Sequence, residues 1–342
     1  MTDPLADAPA CQPAGQVLFR SGFEPGTCGI PVDAHEVLEG ADRSCPPPND
    51  WTALRDRLPP SHPWASNAGA ADDRRDRGAQ PMLGYFDIQY LGGTVEQRSA
   101  RIIEDPTCPG NHVLHFRTLQ ANEIIAGGAK ARVQASLYGN RNLTALCSRV
   151  RLYLHPDLDV LRDWDEGFDW LTLQEYWFSP GWVPGGHSFR ISLGLQREPG
   201  AGRKPLQFNI HGQPGWEEGM PVFPKYGGWG YPTWDQVGHA LDVPTGTWLE
   251  CRTCYRMGDA ASGRFVFQVR VAKGAWVTVF DVTDWTYNPK SAGPDPLYGW
   301  NPMKLYTSSR LVDYVRSRGG VAQVYWDDLE IHSDWRESFA AG

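Results

Sequence analysis

The chain has 342 residues, 41% of them hydrophobic and 12% aromatic, and a formal net charge of −8 at pH 7. That charge argues against a nucleic-acid partner, because phosphate contacts need a basic surface. No apolar run is long enough to span a membrane, and 37 Gly with 28 Pro punctuate the chain too densely for long helices.

Taken in chain order, residues 1–15 (MTDPLADAPACQPAG) are small and Pro-rich and predict a flexible tail. They lack the basic start and apolar stretch of a signal peptide. GQVLFRSGFEPG predicts a first strand at Val17 to Phe19 and a turn. Residues 26–80 read as irregular, with a PPP run, a solvated charge run ADDRRDRG and a short helix over 51–58. From about residue 82 a period-2 pattern predicts strands at 85–91, 100–105, 112–119, 148–154, 170–178, 188–197, 205–211, 247–257, 263–272, 275–283, 303–307 and 321–332. The one good helical pattern is SSRLVDYVRSRGG, with Leu311, Val312 and Val315 on one face and a glycine stop. Many strands, few helices and long connections predict an all-β fold, a two-sheet antiparallel β-sandwich or β-jelly roll.

The alternation assigns faces. In SFRISLGLQR, Phe189, Ile191, Leu193 and Leu195 oppose Arg190, Ser192, Gly194 and Gln196. In PLQFNIH, Gln207, Asn209 and His211 oppose Phe208 and Ile210. In WLTLQEYWF, Trp170, Thr172, Gln174 and Tyr176 share a face, which leaves Glu175 with Leu171 and Leu173. In SRVRLYL, Arg149, Arg151 and Tyr153 share one. A plainly solvated face favours Lys, Glu, Ser and Thr. Arg, Gln, Asn, His and Tyr instead suit a sugar, which is held by forked hydrogen bonds and ring stacking. The loop FPKYGGWGYPTWDQ, with Tyr226, Trp229, Tyr231 and Trp234, reads either as a stacking wall over that groove or as a cover that packs its own aromatics on a sheet.

Seven cysteines (Cys11, Cys28, Cys45, Cys108, Cys147, Cys251 and Cys254) favour an oxidising compartment, and the odd count leaves at least one without an intrachain partner. Cys251 and Cys254 have CxxC spacing, but on a strand they fall on opposite faces and no second pair completes a zinc site. A secreted or periplasmic protein is expected.

QFNIH, the opening SGFEPG (21–26) and the closing YWDDLEIH (325–332) carry a resemblance to the concanavalin A-like jelly-roll superfamily, in particular its polysaccharide lyases of the heparin-, alginate- and glucuronan-lyase type. The closing stretch NPMKLYTSSRLVDYVRSRGGVAQVYWDDLEI also resembles a bacterial secreted family. The resemblance covers residues 16–334 as one domain with a concave polar groove, followed by a C-terminal tail over 335–342. It implies a polysaccharide substrate or ligand. A uronate lyase must neutralise the sugar carboxylate, take the C5 proton and protonate the leaving oxygen. The residues at hand imply Asn209, Gln174 and Arg190 on the carboxylate, His211 as base and a tyrosine as acid, Tyr306 or Tyr176. Tyr306 lies in NPMKLYTS with Lys304, a loose counterpart of the alginate-lyase tyrosine motif. Arg149, Arg151, Tyr176, Gln207, Trp229, Tyr231 and Trp234 are the expected polymer contacts. The family's jelly rolls also imply structural calcium, held by Glu24 with Asp327 and Asp328, and no organic cofactor.

Two other readings stand beside the lyase. A lectin-like jelly roll would bind without turnover. A glycoside hydrolase needs two carboxylates flanking the bond. The candidates are Asp163, Asp165, Glu166 and Asp169 in DWDEGFDW, with Glu217, Glu218 and Glu175, and the first four read as loop residues.

Overall fold

A computed structural model describes residues 10–24, 31–32, 36–37, 83–91, 96–120, 123–125, 128–168, 170–178, 187–215, 230–294 and 296–338. The expected helix over 51–58, Trp229, Asp169, Glu217 and Glu218 lie outside the described residues.

The chain forms two sheets packed face to face. The first has eight strands. β16 (Trp276–Thr283), β15 (Arg264–Val271), β14 (Trp248–Arg256), β9 (Ala145–Leu154), β18 (Ala322–Ser338), β6 (His112–Thr118) and β5 (Arg98–Glu104) lie in that order, and β1 (Ala10–Ser21) pairs with β18. The second has ten. β13 (Trp234–Val237), β12 (Gln207–Pro214), β11 (Phe189–Gln196), β10 (Leu171–Trp177), β17 (Gly299–Ser308), β8 (Gly128–Tyr138), β4 (Tyr85–Leu91), β2 (Pro31–Val32) and β3 (Glu36–Val37) lie in order, and β7 (Glu123–Ile125) pairs with β8. Among the described residues pairing is antiparallel except for one bridge between Val32 and Ile88. The expected two-sheet sandwich is the observed fold.

Part of each segment expected as a tail is strand. β1 starts at Ala10 and β18 runs to Ser338, because the two pair from Ala10 opposite Ser338 inward to Ser21 opposite Leu329. Small and proline-containing residues can hold an edge strand when the partner strand supplies the ladder. β8 went unread in the sequence. Its inward residues Ala131, Val133, Ala135 and Leu137 are fully buried, but two are alanines, which give a weak hydrophobic alternation.

The core lies between the sheets. From the ten-stranded sheet, Phe189, Ile191, Leu193 and Leu195 of β11 and Phe208 and Ile210 of β12 point inward, as the alternation predicts. Phe208 meets Phe267 of the other sheet edge to face, with ring centroids 5.0 Å apart. Burying each such side chain contributes about 1.5–3 kcal/mol. The helix α1 (Ser309–Ser317) buries Leu311, Val312 and Val315 and stops where Gly319 takes a φ of +80°, the left-handed conformation that glycine adopts without strain.

Candidate active site

The outward face of the ten-stranded sheet carries the polar residues. On β12 these are Gln207, Asn209, His211 and Gln213, and on β11 Arg190, Ser192, Gly194 and Gln196, since their neighbours fill the core. The antiparallel register sets His211 opposite Ser192, and Ser192 opposite Glu175 of β10. Glu175 lies opposite Asn301 of β17, whose amide donates to Ser136 of β8 at 3.0 Å. One row of polar groups thus crosses five strands.

β10 breaks the simple alternation. Its register shifts between Thr172, opposite Gly194, and Gln174, opposite Leu193, so Leu173 is an extra residue. Such a β-bulge re-aims the side chains that follow it. Leu173 and Gln174 both turn to the core, where Gln174 Oε1 accepts from Thr253 Oγ1 of the other sheet at 3.1 Å and from the Tyr176 hydroxyl at 3.3 Å. Tyr176 is fully buried, stacked on Trp300 at 5.5 Å and edge-on to Phe265 at 5.2 Å. The groove roles expected for Gln174 and Tyr176 are therefore corrected: both are core residues. Replacing Gln174 with Ala is expected to lower stability by about 1–3 kcal/mol, because two buried hydroxyls lose their acceptor, and to leave ligand affinity unchanged. Urea denaturation and a binding titration on the same sample measure both.

The bulge also sends Glu175 outward, away from Leu171. There it anchors a cluster that the sequence did not single out. Its carboxylate accepts from Lys304 Nζ, from Arg190 Nη1 at 3.0 Å and from Ser192 Oγ at 2.9 Å. Gln213 Oε1 accepts from Arg190 Nε at 3.2 Å and Nη2 at 3.0 Å, which fixes the plane of the guanidinium. Lys304 and Glu175 are both about 1% exposed. Burial alone would raise the Glu175 carboxyl, but the charges of Lys304 and Arg190 overcome it and hold it below the usual range, ionised. Burial pushes Lys304 down, Glu175 pulls it back, and the nearby Arg132 and Arg190 push it down again, to about 8. Two cations surround one carboxylate, with Arg132 close by.

Tyr306 stands beside this cluster. It is half-buried, its ring centroid is 5.0 Å from Lys304 Nζ, and the Trp170 ring lies 5.9 Å away with Lys130 over it at 5.4 Å. Tyr306 pairs in register with Thr172 on one side and Arg132 on the other. Burial and then the Glu175 charge raise its hydroxyl above the ordinary tyrosine value, so it keeps its proton.

His211 is farther off. From β12 to β17 there are three strand-to-strand steps, about 14 Å at the usual spacing. His211 and Tyr306 consequently do not share one bond of a sugar, because proton transfer needs hydrogen-bond reach to neighbouring atoms. His211, Asn209 and Gln207 instead form the far end of the same face, where Gln207 Nε2 meets His239 Nδ1 at 2.7 Å.

The remaining expected contacts separate from this face. Arg149 and Arg151 sit on β9 of the other sheet and point outward there, Arg149 to Glu250 and Arg151 to Asp327 at 3.0 Å and Asp328 at 3.4 Å. The alternation correctly gave them a polar face, but it was the opposite face of the sandwich. Trp234 is 8% exposed, packs on Gly212 and donates its indole N–H to the Trp285 carbonyl at 2.8 Å, so it closes the sheet edge and is not a stacking wall. Tyr231 is 64% exposed. The loop carboxylates of DWDEGFDW bind locally, Asp163 to Arg203, Asp165 to the Gly202 N–H and Glu166 to Arg310, and do not face one another across a groove.

The terminal strands do lie side by side, but their carboxylates do not fit a calcium ion. Asp327 Oδ2 accepts from Arg151 and from Asn111 at 3.2 Å, and Oδ1 accepts from the Asp328 N–H at 2.8 Å, while Glu24 meets His112 at 3.5 Å. A guanidinium thus lies against the carboxylate expected to hold the ion. Among the described residues the one cluster of three ligand atoms within 4.8 Å of each other is Cys11, Cys147 and Cys254. Exhaustive chelation is expected to leave the melting temperature unchanged. A drop that calcium reverses would restore the calcium site.

Lys130, Arg132, Lys304 and Glu175 are the charged residues of this face that sequence reasoning missed or set aside. The signal for Lys304 was its two-residue spacing from Tyr306. For Lys130 and Arg132 it was the alternation with Ala131 and Val133.

No family model and no curated protein matches the chain. Solved structures similar to it include the endo-β-1,4-glucuronan lyase of the fungus Trichoderma reesei, at 12% identity over 71% of this chain and 94% of that one, TM-score 0.42. The PL-14 alginate lyase from Aplysia kurodai is similar at 12% identity over 69% and 87%, TM-score 0.41. A GH131 β-glucanase catalytic domain from Podospora anserina is similar at 14% over 74% and 86%, TM-score 0.36. Likeness at this level leaves the activity to be read from the residues themselves.

Proposed function

We propose that the polar face of the ten-stranded sheet binds a uronic-acid polysaccharide and cleaves it by β-elimination. The observation that carries this reading is the buried group of Glu175, Lys304 and Arg190 beside Tyr306, with Arg132 paired to Tyr306 and Lys130 over Trp170 on the same face, among amides and hydroxyls. An anionic sugar suits the cations of this face, and the amides and aromatic rings suit its hydroxyls and faces.

Each residue then has a part. Arg190, its plane fixed by Gln213, and Arg132 neutralise the carboxylate and stabilise the enolate that forms as C5 loses its proton. Lys304, with its proton affinity brought down to about 8, is the base within reach of that proton once the sugar draws it from Glu175. Tyr306, which keeps its proton, gives it to the leaving glycosidic oxygen, so the C4–O bond breaks and a C4–C5 double bond forms. Asn209 and His211 hold a neighbouring sugar of the same chain.

The test is a panel of polyuronates followed by ultraviolet absorbance and reducing ends together. Unsaturated product with new reducing ends is the expected result. Reducing ends without absorbance would replace the lyase with a hydrolase. Binding without product would leave a lectin.

A further inference from the structure

Strand alternation sends the two cysteines of β14 to opposite faces. Cys251 joins the core between the sheets, and Cys254 points outward. There β1 passes by, and Cys11 is disulfide-bonded to Cys254 across 243 residues of sequence, with Cα atoms 6.5 Å apart. A third sulfur belongs to the same cluster. Cys147 of β9 lies directly opposite Cys254 in the ladder, and its Sγ is 2.9 Å from that of Cys254. All three cysteines are at most 1% exposed, enclosed by Val266 and Trp335. Arg252 lies alongside and donates to the Cys11 carbonyl at 2.7 Å.

We propose that Cys147 is the exchange partner of this bridge, so that the chain holds either Cys11–Cys254 or Cys147–Cys254. The Cys147 thiolate attacks Cys254 Sγ. A new bond joins those two sulfurs, the Cys254–Cys11 bond breaks, and Cys11 leaves as a thiolate that takes up the proton Cys147 gave away. One disulfide and one thiol exist before and after, so the step needs no oxidant or reductant.

Three features support it. Cys254 is in direct sulfur contact with both other cysteines. The two alternative partners sit on different strands, β1 and β9, so no backbone needs to cross the sheet. The site also selects which sulfur is exchanged, since Cys251 is turned away into the core and Cys108 is an exposed cysteine on the turn between β5 and β6. Burial pushes the Cys147 thiol up to about 12, against the opposing influence of Arg252 and Arg149, so the thiolate is rare and the exchange is slow. The outcome concerns β1. With Cys11–Cys254 in place its first residues are tied covalently to β14. With Cys147–Cys254 they are held by noncovalent contacts, chiefly the ladder from Ala10 opposite Ser338 to Ala14 opposite Asp334.

The test is disulfide mapping of wild type, Cys11→Ser and Cys147→Ser, with free thiols trapped by a maleimide in acidic denaturant before digestion. Both bridged peptides are expected from wild type, only Cys11–Cys254 from Cys147→Ser, and only Cys147–Cys254 from Cys11→Ser. Melting curves establish that each variant folds. If Cys11→Ser does not fold, wild type alone decides. Cys11–Cys254 as its single bridge, even after prolonged incubation with a small catalytic thiol, overturns the proposal. Both Cys147 and Cys254 labelled in a folded Cys11→Ser overturns it too. So does protein isolated with three reduced thiols and one equivalent of zinc, which would make the cluster a metal site.

Discussion

Glu175→Gln is expected to destabilise the protein by about 3–5 kcal/mol at pH 6, the largest effect of any single substitution on the polar face. The amide keeps the volume of the carboxylate but removes the charge that Lys304 and Arg190 share. Lys304 then loses the carboxylate it is paired with and Arg190 loses one of its acceptors, so the desolvation of these buried cations is less well offset. The sign of the pH dependence follows from Lys304. Its proton affinity is already below the ordinary lysine value because of burial, and losing Glu175 lowers it further. A base with a lowered folded value costs stability while protonated, and the cost fades as pH rises and the amine sheds its proton. The variant should regain stability between pH 6 and pH 9, while wild type, whose Lys304 is lowered only to about 8, should gain less, and only in the upper part of that range. Glu175→Gln with Lys304→Met should recover much of the loss, because removing both members of a buried pair is often near neutral. Urea denaturation at the two pH values measures all of this. A Glu175→Gln protein as stable as wild type at pH 6 would show that the cluster is solvated and that its charges are not coupled.

Lys304→Arg and Tyr306→Phe are each expected to cut turnover on a uronic-acid polymer by about 10²–10⁴-fold, with binding largely retained. Arginine keeps the positive charge but does not give up its proton near neutral pH, so it separates a base from an electrostatic anchor. Phenylalanine keeps the ring beside Trp170 and removes the proton donor. The double variant should lose little more than either single one, since the two groups act on one step. In wild type the rate should rise with pH and level off above about 8, because the neutral form of Lys304 is the active one. Full turnover by Lys304→Arg would remove the base from Lys304 and leave it a charge that positions the carboxylate. His211→Ala should weaken binding of longer oligosaccharides and leave the chemical step intact. The reverse result would return the base to His211.

The two strands that kept their alternation were legible in the sequence. Phe189, Ile191, Leu193 and Leu195 face inward on β11, as do Phe208 and Ile210 on β12, so alternation alone places Arg190, Asn209 and His211 on the outer face. The helix α1 was equally plain, because three apolar residues at helical spacing ended at a glycine. The sandwich follows from such patterns, since a strand with one greasy face must bury it against another sheet.

What the sequence could not decide is where a register slips and which sheet a strand joins. Local period-2 patterning places Glu175 with Leu171 and Leu173. One inserted residue at Leu173 reverses it, and that bulge is set by pairing with β11 and β17. The polar face of β9 was correctly polar, but a two-sheet sandwich has two outward faces, and alternation is identical on both. Only the order of strands puts Arg149 and Arg151 on one side and Arg190 on the other. The three clustered cysteines lie more than a hundred positions apart in sequence at their closest. The sequence by itself determined an all-β sandwich with a polar face bearing Arg190, Asn209 and His211. The tertiary structure alone decided that Glu175, Lys304 and Tyr306 meet at its centre, because long-range pairing, not local pattern, fixes register and strand order.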